Sequence, residues 1–242
     1  MATYQDIFER YEKKYLLYAD QYRALRPALE PHMQPDIYGR TTICNIYFDT
    51  PDHRIIRRSL EKPVYKEKLR LRSYGVPGKQ DRVFIELKKK YRGIVYKRRT
   101  DMRLAQAEDY LYRGGAPGNP TQITREIDWF LHSYPGIKPA MYLSYDRIAL
   151  AGRESRDLRV TFDSRILWRG EELSLSCGPY GRLLLPADCH LMEVKIPGAM
   201  PLWMARLFSE LEIYPVSFSK YGGAYRTAQN KVDAEKEEIH SA

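Results

Sequence analysis

The sequence predicts an α+β domain: an antiparallel β-barrel of about eight strands with helices packed outside. Two observations favour this class. Apolar and polar residues alternate along segments rich in Tyr, Val, Ile, Leu and Arg, which is typical of strands with one buried face. Helical patterns are few and seldom stand between successive strands, so a parallel sheet of βαβ units is not favoured.

The predicted strands, in chain order, are residues 10–17, 42–48, 65–74, 83–90, 94–100, 140–150, 158–169 and 191–196. Helical spacing of apolar residues predicts helices at 19–26, 104–112, 122–133, 201–211 and 221–232. The first should end near Pro27 and the fourth should begin at Pro201, because proline fits only the first turn of a helix. We expect one domain at 1–229, with a loop at 114–120 and a polar tail at 230–242.

Composition excludes several classes of protein. The 242 residues contain 40 Lys and Arg against 31 Asp and Glu, a formal net charge of +9. There is no apolar run of ~18 residues, the start is too polar for a signal peptide, and three separated cysteines form no C-x-x-C motif. We therefore expect a cytoplasmic location, no membrane segment, no disulfide framework and no zinc knuckle. The excess positive charge indicates a solvated basic surface or an anionic ligand.

The positive charge falls on one face of each of several predicted strands, because residues two apart in a strand share a face. One such strand would be an ordinary amphipathic edge, but the pattern repeats. The faces that carry cations or paired charges are Glu12/Lys14, Lys66/Lys68/Arg70/Arg72, Glu86/Lys88/Lys90, Lys97/Arg99, Tyr145/Arg147, Arg159/Thr161/Asp163 and Glu193/Lys195.

A closed barrel would gather these faces around its lumen. Unpaired cations enclosed there would cost several kcal/mol each, so the lumen must hold anions. Arg and Lys are the residues that bind phosphate oxygens. Carboxylates placed among them, Glu12, Glu86 and Glu193, would suit Mn²⁺ or Mg²⁺ bridging such phosphates.

Eight short motifs follow one another along the chain, at residues 12–15, 47–50, 68–75, 85–88, 97–99, 145–147, 193–195 and 218–221. In this order they resemble the VTC domain, the polyphosphate polymerase domain of the vacuolar transporter chaperone complex. That family is part of the triphosphate tunnel metalloenzyme, or CYTH-like, superfamily. The resemblance runs from about residue 10 to about residue 225.

The resemblance implies a phosphotransferase that moves the γ-phosphate of ATP onto a growing polyphosphate chain inside a basic tunnel, with Mn²⁺ or Mg²⁺. It implies ATP and inorganic polyphosphate or triphosphate as partners, and Glu193 as the leading metal ligand. The implied phosphate ligands at the reaction centre are Arg70, Arg72, Lys88 and Arg147; the others are Lys14, Lys97, Arg159, Lys220 and the Ser219 hydroxyl. Three more candidate phosphate ligands follow only from their position on the charged faces of the strands: Lys68, Arg99 and Lys195.

Two other functions stay open. A related tunnel enzyme could hydrolyse inorganic tripolyphosphate or a nucleoside triphosphate, with water as the acceptor. Here Arg10 replaces a carboxylate of the E-x-E-x-K pattern of such hydrolases, which argues against efficient hydrolysis. A non-catalytic polyphosphate or nucleic-acid binder is the other alternative. Nucleic acid is not expected, because the cations lie on enclosed faces rather than along an open groove. Glu86 and Glu193 argue against a pure binder, since carboxylates weaken anion binding unless a metal uses them.

Overall fold

The computed structural model describes the backbone of residues 10–240 and the side chains of residues 11–37 and 39–230. Nine strands and six α-helices lie in this part of the chain. The strands are β1 (Arg10–Leu17), β2 (Met33–Asp49), β3 (Tyr65–Tyr74), β4 (Arg82–Tyr91), β5 (Ile94–Arg103), β6 (Lys138–Gly152), β7 (Arg159–Arg169), β8 (Arg182–Leu183) and β9 (His190–Pro197). The helices are α1 (Ala19–Leu29), α2 (Arg54–Leu60), α3 (Leu104–Arg113), α4 (Gln122–Ser133), α5 (Leu202–Glu210) and α6 (Lys220–His240).

The α+β class and every predicted element are confirmed, and most boundaries agree within a few residues. The main differences are extensions. β2 begins at Met33 rather than at 42, and α1 runs through Pro27 to Leu29. Leu25 and Leu29 are completely buried, so packing compensates for the hydrogen bond that proline removes. The helix predicted at 221–232 continues in backbone to His240, and residues 241–242 of the predicted tail lie outside the described residues.

The sheet is antiparallel in every pairing with a defined register, but it is open. Its strands hydrogen-bond in the order β1-β9-β7-β6-β2-β3-β4-β5, and β8 pairs with β7. Within residues 10–240, β1 and β5 stand at the two ends of this order, so the prediction of a barrel closed by strand pairing is wrong. The side chains of β5 from Ile94 to Arg98 are all exposed and include two adjacent cations, which is how natural edge strands avoid further pairing.

Contacts divide the described chain into two compact units. Unit 1 comprises residues 10–41, 146–165 and 185–218, and unit 2 comprises residues 42–145, 166–184 and 219–240. Strands β2, β6 and β7 contribute residues to both units. Each unit has its own hydrophobic core.

In unit 1, alternation on β1, β9 and β7 separates an apolar face from a polar one. Tyr15, Met192 and Phe162 are paired across the three strands and are buried. This face packs with Leu25 of α1 and Phe208 of α5. The opposite face carries the charged residues of the strands, because neighbouring residues alternate in direction.

In unit 2, the same separation occurs on β2, β3, β4 and β5. Leu71 and Ile85 are paired and have no exposed surface. They belong to a core with Tyr110 of α3 and Phe130 of α4. The helices thus cover one face of this part of the sheet, and the other face holds the charged residues.

At the β2–α2 corner, the last residue of the strand caps the helix that follows. The buried carboxylate of Asp49 accepts hydrogen bonds from the backbone N–H groups of Ile55 (2.8 Å) and Ile56 (3.0 Å), at the start of α2. It also accepts one from the hydroxyl of Tyr221, 2.8 Å away. Sequence reasoning did not predict α2, since this seven-residue helix depends on those bonds.

Among the described helices, none combines the length and apolarity that a membrane span needs.

Candidate functional site

The polar face of unit 2 has a register that aligns charged side chains across four strands. Tyr47 of β2 is opposite Arg70 of β3, Arg70 is opposite Glu86 of β4, and Glu86 is opposite Arg99 of β5. Cross-strand neighbours have their Cβ atoms about 5 Å apart. The residues predicted to share the charged face of each strand do share it. The register of the four strands aligns them in one continuous row.

Glu86 is the centre of this row, and its side chain is 1% exposed. One carboxylate oxygen lies 2.5 Å from Nη2 of Arg70 and 3.6 Å from Nη1 of Arg72. The other lies 2.7 Å from Nζ of Lys97 and 3.6 Å from Nε of Arg99. One buried carboxylate thus holds four cations from β3 and β5. We call these five residues the Glu86 cluster.

Electrostatics keeps the Glu86 cluster charged. Burial would raise the pKa of Glu86, but Arg70, Arg72 and Lys97 overcome this effect and lower the pKa to about 2. Burial likewise lowers the pKa of Lys97, and Glu86 opposes the decrease without reversing it. Burial opposes protonation of Arg70 too, yet the nearby Tyr47 and Glu86 raise its pKa above the usual value. Because four cations share one carboxylate, the cluster keeps a net positive charge.

Tyr47 joins the cluster through Arg70, whose Nη1 donates a hydrogen bond to the phenol oxygen at 3.2 Å. Burial would raise the pKa of Tyr47, but Arg70, Lys68 and Arg72 lower it to about 8. The ring stacks on that of Tyr221, with 4.6 Å between centroids and 14° between planes. Tyr47 belongs to one of the eight sequence motifs, residues 47–50. Its hydrogen bond with Arg70 could not be predicted from the sequence, because it depends on the β2–β3 register.

Two further rows on the same face place like charges directly opposite one another. Lys68 is paired with Lys88, which is paired with Lys97, and Lys66 is paired with Lys90. Opposed like charges destabilise a sheet. Burial and the neighbouring cations, Lys90 first among them, lower the pKa of Lys66. Such rows become favourable when an anion lies across them, as phosphate oxygens would.

Other predicted residues of unit 2 are held by aromatic and amide groups. Arg72 donates hydrogen bonds to Oδ1 of Asn45 (2.9 Å) and to the hydroxyl of Tyr145 (3.2 Å). Nζ of Lys220 lies 4.6 Å from the centroid of the Tyr145 ring. The Ser219 hydroxyl accepts a hydrogen bond from N–H of Gly222 at the start of α6 and keeps its own proton for donation.

The guanidinium of Arg99 is also fixed by rings. It lies 3.6 Å from the centroid of the Phe84 ring and donates a hydrogen bond to the Tyr74 hydroxyl at 3.2 Å. Stacked and hydrogen-bonded in this way, an arginine loses little further freedom when it binds an anion. The Tyr74 hydroxyl thus orients Arg99 in the same way that the Tyr145 hydroxyl orients Arg72.

Unit 1 also has a charged face, on β1, β9, β7 and β6. Lys14 is paired with Glu193, and its Nζ lies 3.8 Å from that carboxylate and 4.0 Å from that of Glu12. Arg147 forms two hydrogen bonds with the buried Asp163, at 2.6 and 2.7 Å, and contacts Glu193 at 3.3 Å. Unit 1 therefore gathers cations and carboxylates in comparable numbers.

Two predicted phosphate ligands of unit 1 lie in more exposed positions. Arg159 donates to Asp36 at 3.1 Å, and its side chain is 46% exposed. Lys195 is opposite both Glu12 and Arg159 in the register and is exposed. The roles of Asp36 and Asp163 were not predicted. Asp163 stood on the predicted polar face of its strand, and that position was its one sequence signal.

The carboxylates differ in their fitness for a divalent metal. The described residues contain no group of three His, Cys, Asp or Glu side chains placed to hold one. Glu86 does not fit, because its two oxygens are occupied by four cations. Glu12 and Glu193 lie on one face of adjacent strands and offer two hard oxygen donors, which fits Mg²⁺ or Mn²⁺ when substrate phosphates supply further ligands.

Comparisons with known proteins identify a family and similar folds. The family model described as VTC domain matches residues 9–229. No curated protein matches the sequence significantly. A Bacillus halodurans protein described as a candidate adenylate cyclase has a similar structure, with 15% identity, a TM-score of 0.55 and coverage of 86% of this chain and 92% of its own. A Hippeastrum protein, described as a candidate adenylyl cyclase with a dominant triphosphatase activity, has 15% identity, a TM-score of 0.58 and coverage of 89% and 95%.

Proposed function

Because the chain belongs to the VTC domain family, we propose that it is a polyphosphate polymerase, which transfers the γ-phosphate of ATP to a growing inorganic polyphosphate chain. The fold is that of the CYTH-like proteins, and the family supports a function in polyphosphate or triphosphate chemistry. One observation carries the proposal: the face of unit 2 on which the Glu86 cluster continues into rows of opposed lysines.

This face suits a linear chain of phosphates better than a single anion. The charged residues that face the same side are two carboxylates, Glu86 and Asp101, and ten cations, which are Lys66, Lys68, Arg70, Arg72, Arg82, Lys88, Lys90, Lys97, Arg99 and Arg103. Successive rows along a strand are about 6.6 Å apart, since each residue rises about 3.3 Å. A ligand with negative charge repeated along its length can therefore neutralise one row after another.

Phosphoryl transfer requires alignment and charge neutralisation rather than a covalent catalyst. In our proposal, Arg70 and Arg72 bind the β- and γ-phosphate oxygens, and Lys88 and Lys97 bind neighbouring oxygens. Glu86 holds Arg70 and Arg72 in place before the substrate arrives, so little reorganisation remains for the transition state. Lys68, Arg99, Lys220 and Ser219 would bind phosphates further along the face.

We also propose phosphate contacts by the cations of unit 1, which are Lys14, Arg147, Arg159 and Lys195. Glu193 and Glu12 would hold Mn²⁺ or Mg²⁺. When bound, such an ion neutralises developing charge on phosphate oxygens. Asp163 would keep Arg147 oriented through its two hydrogen bonds.

The test is to incubate the purified chain with ATP and Mn²⁺, stain a gel for polyphosphate and measure free phosphate in parallel. Chains of polyphosphate are expected from the wild type and not from Arg70→Ala. Arg113→Ala is the matched control, because Arg113 is 69% exposed and pairs with Asp109 within α3, away from the cation face. Absence of polyphosphate with the wild type would refute the polymerase.

Hydrolysis of tripolyphosphate or of a nucleoside triphosphate is the second candidate. The same cation face would bind the triphosphate, and water would be the acceptor. Free phosphate without chains would favour this reaction. If neither product appears and Glu193→Gln leaves polyphosphate affinity unchanged, the chain is a binding module without catalysis.

A further inference from the structure

The tip of the β4–β5 hairpin, with Trp129 of α4 beside it, is an exposed surface. Lys88, Lys97 and Arg99 at its base belong to the proposed phosphate site, but the residues between Lys89 and Tyr96 have no part in it. We define the hairpin tip as residues 88–99, with the sequence KKKYRGIVYKRR. It has seven cations and no carboxylate. All side chains from residue 90 to residue 98 are exposed.

The tip also exposes large apolar side chains. Tyr91 is 44% exposed, Ile94 58%, Val95 47% and Tyr96 47%, and Trp129 is 62% exposed. Large exposed apolar groups side by side indicate a contact surface rather than ordinary solvent exposure.

The backbone of the tip is a tight turn. Arg92 and Gly93 have φ angles of 46° and 88°, and Tyr91 pairs with Ile94 across them. Two central residues with positive φ are typical of the type I′ turn, which matches the twist of a hairpin. N–H of Arg92 also donates a 3.0 Å hydrogen bond to the carbonyl of Val64. The surface is thus preformed by its turn.

We propose that the hairpin tip is a docking surface for an anionic membrane. Tyr and Trp are the residues that settle at the boundary between lipid headgroups and acyl chains, and Lys and Arg around them attract anionic headgroups. Lys89 already lies 5.7 Å from the centroid of the Trp129 ring and Arg92 5.3 Å from that of Tyr91, so apolar and basic groups are presented together.

Other occupants fit less well. A second copy of this chain would bring two sets of seven cations against each other. A nucleic acid would use aromatic rings for stacking on bases, but the exposed aliphatic side chains of Ile94 and Val95 have no such use. Free polyphosphate needs no apolar partner. The combination of cations with aliphatic and aromatic groups is what an anionic lipid surface recognises.

The test is co-sedimentation of the full chain with vesicles of phosphatidylcholine containing about 30% phosphatidylserine, compared with phosphatidylcholine alone. Binding to the anionic vesicles is expected, and it should weaken as salt rises. Lys89→Glu with Arg92→Glu should weaken it at least about twentyfold, since each cation near such a surface contributes about fivefold. Lys79→Glu with Arg206→Glu is the matched control, because both residues are exposed and the change in net charge is the same.

A second pair of variants tests how much the exposed apolar side chains contribute to vesicle binding. Ile94→Ser should weaken binding about tenfold, and Leu202→Ser, at a position 64% exposed on α5, should not. Trp129 supplies a direct signal, because it is highly exposed whereas Trp168 is 4% exposed. Its emission should shift to shorter wavelength on anionic vesicles, and Trp129→Phe should remove that shift.

Several outcomes would overturn the proposal. The first is that the protein does not bind anionic vesicles. The second is that the hairpin and control variants lose vesicle affinity equally. The third is that the hairpin tip binds a single-stranded oligonucleotide more tightly than it binds vesicles. The proposal does not depend on the polymerase reaction. Tripolyphosphate affinity, measured on the same variants, should stay at the wild-type value, so failure of one proposal leaves the other testable.

Discussion

Replacing Glu86 by Gln should destabilise the protein by about 3 kcal/mol, because the four cations of the Glu86 cluster would lose their shared carboxylate. The magnitude follows from the pKa of Glu86, which is about 2 against an ordinary 4.5, at about 1.4 kcal/mol per unit. Breaking a buried ion pair from one side costs about 3–5 kcal/mol in general, which agrees. Since the pKa in the folded protein is below the ordinary one, this stabilisation is present above about pH 4.5 and is lost as the pH falls toward 2.

The assay is urea unfolding near neutral pH, with thermal unfolding beside it. For a chain of 242 residues, about 3 kcal/mol corresponds to a fall in Tm of about 6–12 °C. Glu126→Gln is the matched control, because Glu126 pairs with the exposed Arg98 at 3.2 Å and an exposed pair contributes under about 1 kcal/mol. If Glu86→Gln falls within about 0.5 kcal/mol of this control, Glu86 does not hold the cations together and our account of the cluster is wrong.

Three further predictions follow from the geometry of unit 2. The tyrosinate absorbance of Tyr47 should appear near pH 8, tripolyphosphate should move it upward by neutralising Arg70 and its neighbours, and the wild type should gain stability over Tyr47→Phe between about pH 8 and pH 10. Lys68→Ala with Lys88→Ala should weaken tripolyphosphate binding at least about tenfold by calorimetry while leaving Tm almost unchanged, because the pair is a like-charge pair. Asp49→Asn should lower the free energy of unfolding by about 2 kcal/mol in urea, since a buried acceptor of backbone N–H groups loses its charge.

Each of these has a control and a contrary result. Absence of any titration below about pH 9 in the wild type, or its persistence in Tyr47→Phe, would contradict the role of Tyr47. Lys79→Ala with Lys138→Ala removes two exposed cations, and an equal loss of affinity would mean that net charge alone binds tripolyphosphate. Asp52→Asn is the control for Asp49, and equal destabilisation by both would show that burial of Asp49 is unimportant.

The division of each strand into two faces could be predicted from the sequence because it depends only on alternation. Arg70 and Arg72 stand two apart, so any strand conformation places them together. The closure of the sheet could not be predicted in this way, because it requires β1 and β5 to pair and alternation contains no information on that. The helix α2 was missed because its stability depends on Asp49, whose partner Tyr221 is 172 residues away.

Glu86 is a second case in which the sequence predicted the face of a residue but not its partners. Its face was correctly predicted, and carboxylates among cations suggested a metal ligand. The register, which pairs Glu86 with both Arg70 and Arg99, turns it into the centre of an ion-pair cluster instead. Register depends on two strands at once. Arg147 is similar, because its two hydrogen bonds to Asp163 require β6 and β7 to be neighbours.

The pairing of β1 with β9 has a consequence for how the protein is made. Arg10 is opposite Pro197 and Lys14 is opposite Glu193, so the first strand pairs with the last. At a synthesis rate of about 5–20 residues per second, β9 is made roughly 10–40 s after β1, and β1 has no partner strand until then. β3, β4 and β5 are consecutive hairpins and can pair as they emerge, because their loops close quickly. The Glu86 cluster can therefore form before β9 has been made, whereas Glu12 and Lys14 can meet Glu193 only afterwards.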